Sequence, residues 1–413
     1  MKNTRIGLAY SAADGKIFYD RARAPLADGG VVRPPRQDEL VPAPPGTVPA
    51  LLPGRTPLLA GRPGGGARRG RPQEVALAAI LPSGFTRLLV PAYATAAGAP
   101  TLPLFGYTFA CVIDDALYVA ATRTDESEDW TPRYFDAGEL DSKIASRRAE
   151  DSGSRVLAQL AICSREYGCF TAQNVFLERG EAALPVSPRC NARCVGCISE
   201  LDADAGIPSP QTRIAYEPAA GELARVALRH LEAVPEGIVS FGQGCEGEPL
   251  LRVDTVAAAI ARIRAQTSGG TINLNTNGSL PRSLARLIDA GLQAVRISLN
   301  SLRPAVYAAY YRPLGYDLDD VLESVRLASR AGLRVSLNYL THPGVTDDRA
   351  EVDALSAFLA SVRVDMVQTR TLNIDPAVYF AAAGRPSEPI GMRAALARIA
   401  GFGVRLGNFT HVH

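Results

Sequence analysis

From residue 183 onward, short apolar, β-branched runs alternate with amphipathic helical stretches, and this rhythm constrains the fold more than any other feature of the chain. The runs are Leu184-Pro-Val186, Gly237-Ile-Val-Ser-Phe241, Thr271-Ile-Asn-Leu274, Ala294-Val-Arg-Ile-Ser298, Leu333-Arg-Val-Ser-Leu337 and Val364-Asp-Met-Val-Gln368. Helical patterns lie between them near 219–233, 254–266, 282–290, 317–331 and 347–362. The last two open on Asp317 and on Asp347-Asp348. A carboxylate there bonds the first free N–H groups and faces the positive end of the helix dipole. Gly291 and Gly332 stand where helices should stop. Strands joined through helices run parallel with right-handed crossovers. The spacing, about 25–40 residues per unit, predicts an α/β fold, a partial (β/α)6 TIM-like barrel with a mixed N-terminal extension. A helix near 389–400 and a further strand, Phe402-Gly-Val-Arg-Leu406, follow. In such folds the chemistry gathers at the C-terminal ends of the strands.

The segment Ser187-Pro-Arg-Cys190-Asn-Ala-Arg-Cys194-Val-Gly-Cys197 follows the first run and holds three of the seven cysteines. An odd count, with three thiols inside eight residues, does not read as the disulfide framework of a short secreted chain. It points to a reducing, cytoplasmic setting and a metal or redox site. Three thiolates on one C-x3-C-x2-C loop suit three irons of a 4Fe–4S cluster and leave the fourth iron open. Structural zinc remains an alternative, although it normally takes four closed ligands. No fourth Cys or His is close; His230 and Cys245 come next. Inert buried thiols are the third reading.

The remaining features set broad limits. Lys plus Arg number 44 against 42 acids, which gives no general argument for nucleic acid or for an acidic membrane surface. Apolar runs fall short of the roughly 18 residues of a membrane span. The opening residues lack the apolar stretch of a signal peptide. Residues 1–180 are expected to form an N-terminal extension, 181–380 the core barrel, and 381–413 a closing helix and strand. Within the extension, Ile6–Tyr10 and Lys16–Tyr19 flank an Ala-Asp-Gly turn, and Tyr107–Val112 and Ala116–Ala120 flank Asp114-Asp115. Both read as hairpins. Two helical pieces over 138–162 break near Asp151–Ser154. Residues 33–72, rich in Pro, Gly and Arg, read as a mobile linker or an irregular wrapping segment. Its basic cluster, Arg68, Arg69 and Arg71, leaves open a zinc-stabilised module that contacts RNA.

The cysteine motif does not stand alone. The second strand runs into Phe241-Gly-Gln-Gly-Cys245-Glu-Gly-Glu-Pro249, the third ends in Asn275-Thr-Asn-Gly278, the fourth in Ile297-Ser-Leu-Asn-Ser301, and the fifth leads to Leu340-Thr-His-Pro-Gly344. In order and position this series resembles the radical S-adenosylmethionine (radical SAM) superfamily, over residues 184 to about 375. The resemblance implies a 4Fe–4S cluster on Cys190, Cys194 and Cys197 with S-adenosylmethionine on its open iron. It implies reductive cleavage to methionine and a 5′-deoxyadenosyl radical, which takes hydrogen from a substrate. It also implies a one-electron donor such as a flavodoxin or ferredoxin. A non-catalytic protein that keeps the cluster for sensing or regulation is the alternative.

By the same resemblance, Gly244, Glu246, Gly247, Glu248 and Pro249 approach the methionine end of the cofactor. Gly247→Val is then expected to weaken S-adenosylmethionine binding and leave the cluster intact. Thr276, Asn277, Ser298 and Asn300 are short polar groups suited to ribose hydroxyls, or to turns and caps. One position departs from the family pattern. The residue before the third cysteine, commonly aromatic and near adenine, is Gly196; Val195 or the end of the fifth strand is left to supply that contact. Gln368 and Arg370 share one face of the sixth strand by period two. They are substrate candidates for a carboxylate, phosphate or amide, or members of a structural pair. Cys111, Cys163 and Cys169 read as buried thiols, with a second metal site as the minor reading. Cys245 and His230 read as packed residues, with a hydrogen-donor or ligand role as the minor reading for Cys245, His342 as a candidate for an active-site role, and His411 and His413 as frayed.

Overall fold

The computed structural model describes residues 5–62, 65–125, 137–371 and 373–408. His411 and His413 lie outside them. Seven parallel strands pair in simple chain order: Glu181–Leu184, Ile238–Phe241, Thr271–Thr276, Ala294–Leu299, Arg334–Leu340, Met366–Arg370 and Arg405–Gly407. Here they are called the first to seventh barrel strands. This is the partial TIM-like barrel that the alternation predicts. The first strand begins three residues earlier than the apolar run at Leu184–Val186, because Glu181 turns into the barrel and bonds Ser240 and Arg296.

Helices at Ala220–Ala233, Val253–Arg264, Pro281–Asp289, Leu318–Arg330 and Arg349–Ser361 cover the outside. Their apolar stripes, such as Leu223, Val226 and Leu231, or Val321 and Val325, are fully or nearly fully buried. Asp317 caps its helix, accepting from Asp319 N and Asp320 N at 2.9 and 3.3 Å. Asp348 stands at the N-cap of Arg349–Ser361 without a capping bond from its side chain. Instead it accepts from Arg303 at 2.9 Å. The short helices Pro304–Tyr311 and Pro376–Ala383 have no counterpart in the expected series. Both are apolar around most of their circumference and too brief for a 3.6-residue period to stand out.

The N-terminal extension is woven β structure followed by helices. Strands Phe85–Arg87, Ala116–Arg123, Tyr107–Ile113, Gly7–Ser11, Val75–Ile80 and Val48–Leu52 bond in that order, with Ile17–Asp20 and Leu40–Pro42 joining at the sides. Both expected hairpins form. Asp114 and Asp115 take left-handed φ of 45° and 64°, the conformation a two-residue hairpin turn requires. Helices Ala137–Glu150 and Arg155–Arg165 meet at the expected break, where Ser154 caps the second by accepting from Leu157 N. Helix Phe170–Leu177 then leads into the first barrel strand.

Residues 33–72 are not a mobile linker. They supply Leu40–Pro42, Val48–Leu52, Arg55–Leu59 and Arg68–Arg69, each paired with a neighbouring strand. Pro42 and Pro49 stand on edge strands, where a missing N–H is tolerated, and Pro57 lies in the middle strand of a three-stranded sheet. The same composition therefore serves a ladder as well as a linker.

This sheet docks on the sixth and seventh barrel strands. Asn408 donates to Phe85 O at 2.7 Å and accepts from Gly84 N at 2.7 Å. Arg87 donates to Thr341 O at 3.2 Å. Phe105 and Asn373 form an isolated bridge. The strongest tie is Arg55 on Asp375, a pair whose side chains are 3% and 1% exposed. Asp375 also accepts from Leu102 N and caps helix Pro376–Ala383 through Ala377 N. Removing one member of such a pair strands a charge in the interior. Asp375→Ala is expected to lower stability by about 3–5 kcal/mol, read from urea unfolding of wild type and variant; a loss under 1 kcal/mol would contradict the assignment.

Candidate functional site

At the C-terminal mouth of the barrel lies a cavity of about 540 Å³. Its wall includes Cys190, Cys194 and Cys197, the glycine-rich loop after the second strand, the ends of the third to sixth strands, Ser83 and Asn408. The cysteine loop is held from three directions. Gly247 N donates to Ser187 O at 2.7 Å and Glu248 N to Arg189 O at 2.8 Å, so the glycine-rich loop runs against it. Arg193 N and Val195 N donate to Tyr311 O and Tyr310 O at 3.0 and 2.9 Å, which ties it to helix Pro304–Tyr311. Asn191 bonds Ser279 and Asn277 at 3.0 and 2.9 Å, at the end of the third strand.

Glu246 locks the first of these seams. Its Oε2 accepts from Val186 N and Ser187 N, each at 2.7 Å, and its Oε1 from Gly242 N and Gln243 N at 2.8 and 2.7 Å. Burial pushes its carboxyl upward and the four N–H groups pull it back. Every close partner is a donor, so the geometry accommodates the carboxylate and offers no acceptor for an acid proton. Glu246 is thus a knot between two loops, not a free acceptor for a ligand ammonium. Glu248 is also committed. It accepts from Thr276 Oγ1 at 2.5 Å, Leu250 N at 2.9 Å and Asn277 N at 2.8 Å, while still lining the cavity.

Gly247 has a different reason from the one the motif suggests. A Cβ there would meet Arg189 O at 2.0 Å and Cys190 N at 2.9 Å. The missing side chain makes room for the cysteine loop. Gly244, Thr276, Asn277 and Ser298 line the cavity as expected. Asn300, Pro249 and Gln368 do not. Asn300 is fully buried behind the wall and bonds Tyr379. Pro249 opens a 3-10 turn. Gln368 is buried with Nε2 at 3.8 Å from Met366 Sδ. Arg370, one step further along the strand, does reach the cavity.

Gly196 sits under an aromatic wall. A Cβ at Gly196 would come within 2.9 Å of the Tyr310 hydroxyl, and Tyr310 and Tyr311 both line the cavity. Aromatic surface therefore reaches this region from helix Pro304–Tyr311. Leu340, at the end of the fifth strand, lines the cavity and Val195 does not.

Other sulfurs and imidazoles fall elsewhere. Cys111 packs with Leu40 and Phe109 in the N-terminal sheet. Cys163 is hydrogen-bonded to Cys245, both buried, and Cys169 lies at the cavity edge beside Thr171 at 3.3 Å. His230 is buried against Gly180 O at 3.2 Å. His342 packs on Tyr379 and Phe380, outside the cavity wall.

The donor set fits a cluster better than a single ion. Among the described residues, no three His, Cys, Asp or Glu side chains converge on one metal position. Thiolates on separate corners of a cube need no such convergence. Burial pushes the Cys190 thiol up to about 12 and raises that of Cys194 well above its ordinary value, so a bound cationic centre is what would hold them as thiolates. Arg213, which no motif flags, places Nη2 at 3.6 Å from Cys197 Sγ. A donor to a ligating sulfur tunes a cluster's potential. Arg296 and Asn338 were also missed; their signal was a polar side chain at alternate positions of otherwise apolar strands.

If Gly247 serves loop packing, Gly247→Val should lose cluster and stability together. We expect iron per chain to fall by more than half and the melting temperature to drop by several degrees. Full iron content with weakened S-adenosylmethionine binding would restore the ligand-room reading.

Comparison with known proteins agrees with this site. Residues 184–355 match the Radical SAM superfamily. GTP 3′,8-cyclase of Heliobacterium modesticaldum is 35% identical over 167 residues, 40% of this chain and 46% of that protein. Molybdenum cofactor biosynthesis protein 1 of Mus musculus is 30% identical, covering 44% and 27%. FeMo cofactor biosynthesis protein NifB of Klebsiella pneumoniae is 29% identical, covering 40% and 37%. The chain thus spans less than half the length of these curated relatives. A radical SAM methyltransferase structure from Sphaerobacter thermophilus aligns with a TM-score of 0.39 at 16% identity, over 55% of this chain and 64% of that one. Residues 184–355, somewhat under half of the chain, are thus a radical SAM domain, the kind of domain that uses a 4Fe–4S cluster and S-adenosylmethionine.

Proposed function

We propose that the protein is a radical SAM enzyme acting on a small molecule held in the barrel lumen. The observation that carries this reading is the pinned loop with Cys190, Cys194 and Cys197 on the rim of the same cavity that polar side chains of the barrel strands line. When bound and reduced, the cluster supplies one electron that splits S-adenosylmethionine into methionine and a 5′-deoxyadenosyl radical able to abstract hydrogen. The chain's own part is to bind, orient and exclude water and oxidants. Cys190, Cys194 and Cys197 would hold the cluster. Backbone around Gly244 and the carboxylate of Glu248 would meet the methionine end, and Thr276, Asn277 and Ser298 would meet the ribose. Tyr310 and Tyr311 would supply the aromatic surface for adenine that is absent at Gly196. Arg213 supports the sulfur of Cys197 from outside.

The names of the relatives, a GTP 3′,8-cyclase and two cofactor biosynthesis proteins, support a biosynthetic reaction, with a GTP-related compound as the first candidate substrate. The aligned stretch is the domain they share. A one-electron donor, such as a flavodoxin or ferredoxin, completes the system. Among the described residues no helix is long and apolar enough to cross a membrane.

Anaerobically reconstituted protein should be brown, with about four irons per chain. It should form 5′-deoxyadenosine from S-adenosylmethionine under dithionite. The variant with alanine at Cys190, Cys194 and Cys197 should lose both the colour and the product. A triple variant that keeps its iron rejects the ligand set. A wild type with full iron that makes no 5′-deoxyadenosine, even with cell extract added, rejects the enzyme reading.

A further inference from the structure

Below the thiol rim, the cavity wall carries two guanidiniums, Arg296 from the fourth strand and Arg370 from the sixth. A third charged group stands with them, Glu181 from the first strand. The other carboxylates of the wall, Glu246 and Glu248, are taken up by the backbone donors already described. At the rim, Arg213 is paired with Glu200. The wall as a whole sets three guanidiniums against three carboxylates, so the case for an anion rests on how the individual arginines are partnered.

The two arginines are placed differently. Arg296 donates to Asn275 Oδ1 at 2.7 Å and reaches Glu181 at 3.4 Å. Arg370 has neutral acceptors alone. Its Nε donates to Asn338 Oδ1 at 2.8 Å and its Nη1 to Asn408 O at 2.8 Å. No carboxylate pairs with it among the described residues, and its Nη2 has no hydrogen-bond partner among them. Burial, with the like charge of Arg296, lowers the Arg370 pKa to about 10, while the more distant carboxylates of Glu181 and Asp125 work the other way. The group stays cationic at neutral pH. A guanidinium with no carboxylate in hydrogen-bonding contact is costly to bury unless an anion arrives. Its planar fork is suited to two oxygens of a phosphate or carboxylate.

We propose that Arg370, with Arg296, forms an anion subsite that anchors the phosphate or carboxylate group of the substrate on the cavity floor, leaving the rest of the substrate toward the cysteine rim. This deepens the enzyme reading above and rests on it. The subsite selects a substrate class: small anionic molecules, with neutral ones excluded. Asn338 and Asn408 act as positioning residues that hold the fork open toward the lumen.

The test uses the full chain, reconstituted with cluster and saturated with S-adenosylmethionine, titrated calorimetrically with inorganic pyrophosphate, with succinate, and with glycerol as a neutral control. Saturable binding of either anion, with none for glycerol, is expected. Pyrophosphate binding without succinate assigns a phosphorylated substrate, and the reverse a carboxylic one. Arg370→Gln should weaken the anion about tenfold or more, Arg370→Lys less, and the exposed Arg363→Gln not at all. Asn338→Asp, which sets a carboxylate against the fork, should weaken it as strongly as Arg370→Gln. Should Arg370→Gln not fold, the wild-type titration and Asn338→Asp still decide. A wild type that binds neither anion overturns the proposal, as does unchanged binding in folded, iron-replete Arg370→Gln or Asn338→Asp. S-adenosylmethionine affinity falling in parallel, without added anion, would assign the arginine to the cofactor's carboxylate and also overturn it. Intact anion binding in a wild type that makes no 5′-deoxyadenosine sinks the enzyme reading and leaves the subsite standing.

Discussion

Four backbone N–H groups from two loops converge on one buried carboxylate, and the site depends on that convergence. Val186 and Ser187 begin the cysteine loop, and Gly242 and Gln243 begin the glycine-rich loop. Neither loop has a sheet ladder to fix it, and loops without one are mobile by default. Glu246 gives each a charge-assisted anchor on the same two oxygens, stronger than neutral hydrogen bonds. Gly247 then lets the backbones close to contact distance. The thiols on one loop thereby acquire a fixed relation to the cofactor-facing edge of the other. A glutamine could not replace Glu246, because its amide would point two donors at N–H groups that need acceptors.

The barrel was legible in the sequence because strand and helix periods differ and alternate cleanly over residues 181–407. Thr276, Asn277 and Ser298 were legible because they follow strands whose ends were already located. What the sequence left out shares a cause. Glu246 and Gly247 line the cavity, and only the partner loop, some 60 positions away, shows that they also serve packing. Asn300 lies one residue past its strand end, where a small register change moves a side chain from lumen to core. Gln368 shares a face with Arg370 yet lies too deep. Residues 33–72 misled for a simpler reason: Pro and Gly mark turns between short edge strands as readily as they mark linkers. Arg213, Tyr310 and Tyr311 come from connections and helices, for which strand-end reasoning has no rule.

The lumen shows a second division of labour. Asn273 donates to Ser240 Oγ on the neighbouring strand and to Asn275 Oδ1 on its own, and Ser240 and Asn275 in turn bond Glu181 and Arg296. Such bonds satisfy buried polar groups without leaving a net charge. Placing the charges Glu181, Arg296 and Arg370 on the same cavity wall gives the lumen a polar field that an apolar barrel core would lack.

The docking of the N-terminal sheet on the last barrel strands has a consequence for biosynthesis on the ribosome. The contacts Thr86–Thr369 and Gly84–Asn408 span 283 and 324 residues. At about 5–20 residues per second, the sheet waits from roughly a quarter of a minute to over a minute for its partner. During that time the face formed by Leu40, Leu88, Phe109 and Ile113, later covered by Met392 and Leu396, is open to other chains. Arg87 and Arg55 gain their barrel partners, Thr341 O and Asp375, only when the fifth and sixth barrel strands have been made. Emerging first and closing last, the N-terminal sheet would make the nascent chain a natural client for chaperones that shield apolar strands.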